Sequence, residues 1–85
     1  MSSSPKIVEL IRGKIIERLA VGALPSHVPG RMFAGYGTGK ACDACDAPIT
    51  EQDVEYEFET GTDRMIRLHL RCASIWEAER RRRPA

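Results

Sequence analysis

The chain has 85 residues, 42% apolar and 29% charged, with 13 basic against 12 acidic side chains and a formal charge of +1. One small domain fits this length, since single cores occupy roughly 50 to 200 residues, and the composition excludes a collagen-like or low-complexity chain. So balanced a charge gives no general pull toward nucleic acid or an anionic membrane; any polyanion contact has to be local.

No run approaches the roughly 18 apolar residues of a membrane span, and the first ten residues lack the basic start and apolar stretch of a secretion signal. The expectation is a cytoplasmic protein with no membrane partner. Phe33, Tyr36, Tyr56, Phe58 and Trp76 are the only aromatics. A core this small commonly needs a staple besides burial.

Residues 1–22 read as an amphipathic helix. Ser4 can cap free amides, Pro5 suits the first helical position, and Ile7, Ile11, Ile15 and Leu19 recur every fourth residue, with Val8, Ile16 and Ala20 widening the stripe. Gly22 supplies a left-handed stop, with Pro25 beyond it. The Ile7, Ile11, Ile15, Leu19 face has two readings: it packs onto the rest of the chain, or it pairs with a second copy to make a homodimer instead of a monomer.

Residues 23–41, interrupted by Pro25, Pro29, Gly30, Gly35, Gly37 and Gly39, read as a long connecting loop that either wraps the C-terminal part, the favoured reading, or forms a loose hinge. From Val54 the pattern alternates: Val54, Tyr56 and Phe58 are expected inside, with Glu55, Glu57 and Glu59 forming a solvated row. A turn around Gly61 leads into Ile66 and Leu68, giving a hairpin whose glutamates face Arg64 or Arg67. After His69 the period becomes helical, placing Cys72, Ile75, Trp76 and Glu79 on one face, with Arg80 to Arg83 as the last turn before Pro84. The expected fold is therefore α+β, with residues 42–83 as one knuckle, hairpin and helix module.

Chemistry concentrates in Cys42-Asp43-Ala44-Cys45, followed after 23 intervening residues by His69-Leu70-Arg71-Cys72. All three cysteines are used, and with one histidine they complete a tetrahedral set, whereas a disulfide framework would leave one thiol over. Two ligands two residues apart can turn onto one ion through a tight knuckle, and thiolate sulfur with imidazole nitrogen is the set zinc prefers. Asp in the knuckle tolerates a left-handed backbone. Cys72, near a helix start, meets the positive end of the helix dipole, which favours its thiolate. One structural Zn2+ on Cys42, Cys45, His69 and Cys72 is expected. A Cys3His set is closed, with no open position for a substrate or water, so the chain reads as a non-enzyme.

This order of knuckle, hairpin and ligand-bearing helix resembles the treble-clef zinc fingers, and its spacing is similar to the first zinc site of LIM domains. The resemblance covers residues 42–83 and implies that Trp76, one turn after the last ligand, packs as an aromatic of the finger. Gly37-Thr38-Gly39, Pro48-Ile49 and Trp76-Glu77-Ala78-Glu79-Arg80 also look similar to small bacterial zinc-finger proteins. The resemblance implies a fold and not an activity.

Two further signals weigh less. Gly35-Tyr36-Gly37-Thr38-Gly39-Lys40 imitates a phosphate-binding loop, but Ala41 lacks the magnesium-ligating hydroxyl and Cys42 begins a knuckle where a helix should start. Arg71, Arg80, Arg81, Arg82 and Arg83 could meet phosphates, yet cations at a helix end also complement its dipole. His27 reads as a loop residue. The leading functional reading is a zinc-stabilised module that recruits or regulates a protein partner; a small nucleic-acid-binding regulator is the alternative.

Overall fold

The computed structural model describes residues 5–27, 31–60 and 64–82. Helix α1 (Pro5–Ala20) is followed by strands β1 (Met32–Tyr36), β2 (Val54–Glu59) and β3 (Met65–His69) and by helix α2 (Leu70–Arg82). The strands form one antiparallel sheet in the order β1-β2-β3. The α+β class and both helices follow the expectation. No helix among the described residues is long and apolar enough to cross a membrane.

Helix α1 starts at Pro5, and the chain leaves it through Gly22 at φ 79°, the left-handed stop that glycine makes inexpensive. Ser4, the expected cap, lies outside the described residues. Ile11, Ile15 and Leu19 enter the core, packing α1 against α2. The fourth member of that face, Ile7, is 45% exposed, and Ile16 and Ala20 are also at the surface. The stripe is narrower than the sequence suggests because α1 is covered along one side only, by α2 and the turn around Asp43 and Ala44. The face thus finds its main partner within the chain.

The segment read as a connecting loop contains a strand. β1 pairs with β2 along its whole length, from Met32 opposite Phe58 to Tyr36 opposite Val54. All five β1 residues are exposed, so the strand has no alternation of buried and wet positions to betray it. The preceding part of the segment wraps as expected: Leu24 is buried, and Trp76 Nε1 donates to the Pro25 carbonyl at 2.8 Å. Pro29 and Gly30 lie outside the described residues.

The β2–β3 hairpin is present, closed by the Thr60 amide donating to Arg64 O at 2.8 Å; its predicted tip, with Gly61, lies outside the described residues. Its burial departs from simple alternation. Val54 is exposed, while Glu55, expected in the solvated row, is only 6% exposed. Pairing with β1 made β2 the central strand, and Glu55 gained cover from Thr38, whose hydroxyl donates to it at 3.2 Å, and from Arg67. Arg67 lies opposite Glu57 and pairs with it at 3.2 Å, one of the two expected arrangements.

The other face of the sheet carries the core. Phe58 stacks on Trp76 with ring centroids 5.1 Å apart, and Ile66, Leu68 and Cys72 are buried beside them. Burying each large apolar side chain contributes about 1.5–3 kcal/mol, which fixes α2 over β2 and β3 and thereby the β3–α2 junction that carries His69 and Cys72.

Candidate metal centre

The first ligand pair sits in a tight reversal. Cys42 N donates to Ala47 O and Asp46 N to Cys42 O, both at 2.9 Å, while Asp46 adopts φ 69°. This is the left-handed position that the aspartates of the knuckle were expected to tolerate. The amide of Ala44 points at Cys42 Sγ, 3.4 Å away, so the turn itself supplies a donor to the sulfur. The Gly37-Thr38-Gly39 run that imitates a phosphate loop brings β1 up against this reversal. A Cβ on Gly37 would lie 2.0 Å from the Thr50 carbonyl oxygen, and Gly39 N donates to Ile49 O at 2.8 Å. Gly37 serves close backbone packing, and Gly39 supplies a left-handed position at φ 85°.

The second pair straddles an element junction: His69 ends β3 and Cys72 is the third residue of α2. Packing of α2 on the sheet therefore aims both side chains back at the knuckle. The donor atoms of Cys42, Cys45, His69 and Cys72 all lie within 4.8 Å of one another, and the group could hold one metal ion. Cys42, His69 and Cys72 are buried and Cys45 is half-buried.

The geometry fits the donor chemistry. His69 Nε2 is 3.1 Å from the carbonyl oxygen of Pro48, which can only accept, so Nε2 carries the hydrogen and Nδ1 presents its lone pair. Nδ1 faces Cys45 Sγ at 3.4 Å and Cys72 Sγ at 3.9 Å. Bonds of about 2.3 Å to sulfur and 2.0–2.1 Å to nitrogen around a tetrahedron imply ligand separations of about 3.6–3.8 Å, which the two Nδ1 distances bracket and the 4.8 Å span of the group accommodates. Asp53 stands 3.8 Å from Nε2, behind the ring, and its carboxylate accepts from the amide and hydroxyl of Thr50 at 3.0 Å. Those bonds, the amide first, hold the Asp53 carboxyl below the usual carboxylate range. An outer carbonyl and carboxylate that orient an imidazole are the usual support of a metal-binding histidine.

Ionisation within the cluster is uneven. A hydrogen bond from Cys72, aided by the backbone amides of His69, Cys45 and Ala44, pulls the Cys42 thiol down to about 4 against the opposing effect of burial. The same bond, with burial and the negative charge of Cys42 and Cys45, pushes the Cys72 thiol far up. The helix start favours the Cys72 thiolate, but the neighbouring sulfurs oppose it, because thiolates this close repel one another. A divalent ion relieves that repulsion and is what would let all three sulfurs ionise together.

Arg18 of α1 clamps the knuckle, a role the sequence reading missed. Its Nη1 donates to Asp43 O at 2.9 Å and Ala44 O at 2.8 Å, and its Nη2 to Asp46 Oδ2 at 2.8 Å. Lys14 reaches Cys45 O at 3.4 Å, and Asp43 ties the knuckle to β3 by exchanging bonds with the Arg67 backbone at 2.8 Å. The only local signal for Arg18 is its place between Ile15 and Leu19, flanking the buried row; its partners lie 25 to 28 residues away.

The arginines considered as phosphate contacts sit in different surroundings. Arg80 lies 5.5 Å over the Trp76 ring and pairs with Glu77. Arg81 and Arg82 have side chains 73% and 77% exposed, pairing with Glu77 at 3.1 Å and Glu79 at 3.7 Å. Arg71 is exposed beside His69, Pro48 and Asp53, in an open groove on the outer side of the centre. Arg83 lies outside the described residues. His27 is exposed and away from the centre, as expected of a loop residue.

No family model matches the sequence, and no curated protein and no solved structure shows significant similarity to it.

Proposed function

We propose that this chain is a non-enzymatic module of the treble-clef type, held together by one structural zinc ion, that recruits or regulates a protein partner in the cytoplasm. The observation carrying this reading is the convergence of all three cysteines and His69 on one point, with the imidazole tautomer set for ligation. Cys42, Cys45 and Cys72 would supply sulfur and His69 its Nδ1. Zinc in such a Cys3His set acts as a cross-link of the fold rather than a Lewis acid, since no position is left for substrate.

Metal exchange and binding can be tested together. The native protein should carry one zinc per chain, and a partner cross-linked to it in cytosol should be lost when a chelator strips the metal. Turnover of a substrate by the zinc-loaded protein, abolished by changing a polar residue outside the ligand set, would overturn the non-enzymatic reading.

The exposure of Arg71, Arg81 and Arg82 favours the second reading, a regulator that meets nucleic-acid phosphates through the start and end of α2. Affinity for DNA or RNA that falls steeply with salt and drops when Arg81 and Arg82 become neutral would support it. Absence of binding at low salt would remove it.

A further inference from the structure

The two edges of the sheet are treated differently. The outer edge of β3 is engaged at its middle: the Arg67 amide and carbonyl, which point away from β2, are both taken by Asp43 at 2.8 Å. The outer edge of β1 is open. Gly37 N donates to Asp53 O, which sets the alternation so that Phe33 and Gly35 bond inward to β2 and Met32, Ala34 and Tyr36 turn their N–H and C=O groups outward. No described residue bonds those groups, and the strand carries no lysine, proline or other charge of the kind that blunts an edge.

We infer that β1 pairs with β1 of a second copy of this chain, antiparallel and about a two-fold axis at Ala34, joining two sheets into one of six strands. In that register Ala34 lies opposite Ala34 and Met32 opposite Tyr36, so the outward groups of each strand meet in about six backbone hydrogen bonds. Three features of the surface are self-complementary under this rotation.

Tyr36, 83% exposed, lies on the same face of β1 as Met32, at the other end of the strand. Met32 lines a cleft of about 200 Å3 between the sheet and α2, together with Tyr56, Leu70, Ala73 and Trp76. Pairing sets Tyr36 of each copy beside this cleft on the other, knob against hole, with the ring next to the Met32 sulfur. On the opposite face Phe33 comes directly across from Gly35, an aromatic ring over a bare glycine, a pairing that stabilises edge glycines. Beyond the strand Arg31 falls opposite Gly37, whose neighbours in a second cleft are Tyr36, Glu51 and Gln52. Neither Arg31 nor Glu51 has an ion-pair partner among the described residues, so the rotation brings two unpaired opposite charges together at each end.

This interface shares no residue with the four metal ligands and stands independently of the zinc reading. It also differs from pairing through α1, whose Ile11 and Ile15 are committed to the chain's own core.

Sedimentation equilibrium of the full, metal-loaded chain tests it. The expected mass is twice the 9.5 kDa of one chain, dissociating on dilution. Ala34→Pro removes an amide that points to solvent within one copy, where an edge strand tolerates proline, and should halve the mass while metal content and circular dichroism stay unchanged. Arg31→Glu should weaken association several-fold, and adding Glu51→Arg should restore it. A wild-type chain that stays at 9.5 kDa throughout the dilution series overturns the inference, as does a folded Ala34→Pro variant that remains dimeric. If Ala34→Pro fails to fold, Tyr36→Lys with the charge-reversal pair decides: a dimer indifferent to both contradicts this interface.

Discussion

The knuckle at Cys42–Cys45 and the strand at Met32–Tyr36 are both short, irregular stretches by sequence, and the molecule uses them in opposite ways. Around the knuckle the backbone is engaged: Cys42, Asp43, Ala44 and Asp46 all donate or accept within the turn, to β3 or to Arg18. Along β1 one side of the backbone is engaged and the other faces solvent beside exposed Phe33 and Tyr36. The first region is specified by its own contacts together with the ion they can hold, whereas the second is specified by what lies next to it. A change at the knuckle should therefore spread through the fold, and one on the open side of β1 should remain local.

The greatest effect expected is loss of a ligand. Structural zinc in small domains is worth about 10–16 kcal/mol, against about 5–15 for the net stability of a whole domain. Cys72→Ala, or a chelator acting on the wild type, should abolish cooperative thermal unfolding of the knuckle, sheet and α2, read by near-ultraviolet dichroism at Trp76. His27→Ala, exposed and away from the centre, should stay within about 0.5 kcal/mol of wild type. Equal melting of the two variants would remove the distinction between the regions.

Next in size is a glycine pair that divides the regions more finely. Gly37→Ala drives a Cβ into the Thr50 and Ile49 carbonyls, with distances of 2.0 and 2.4 Å that backbone cannot easily yield, and should destabilise by about 3 kcal/mol. Gly35→Ala, two residues earlier, meets nothing within 4 Å and should change stability by less than about 1 kcal/mol. Chemical denaturation of the two metal-loaded variants measures the contrast directly.

A smaller change is expected at Arg18. Arg18→Ala removes two donors to knuckle carbonyls and one to Asp46, leaving the ligands in place. A loss of about 2 kcal/mol is expected, with faster metal release to a chromophoric chelator than from wild type. An unchanged release rate would show that α1 does not brace the centre.

What was legible in the sequence divides along the same line. The ligand set reads directly because coordination chemistry dictates residue type and spacing together, and both helices read from their apolar period and their stops at Gly22 and before Pro84. β1 did not read, because every one of its residues is exposed and a strand defined only by pairing leaves no periodic trace. Glu55 was misplaced for the same reason: its burial depends on Thr38 and Arg67, brought to it from other elements once β1 joins the sheet. The Arg18 clamp spans 25 residues, beyond any local pattern, and the commitment of Arg80 to Trp76 needed the ring's position as well as its presence.

The claim on which the rest depends is an ion held jointly by the knuckle and the β3–α2 junction. Metal analysis of natively purified protein, combined with X-ray absorption at the metal edge, tests it most directly. The account predicts one zinc per chain in a shell of three sulfurs and one nitrogen; a chain with no stoichiometric metal, or a shell containing oxygen in place of one of those donors, would contradict it.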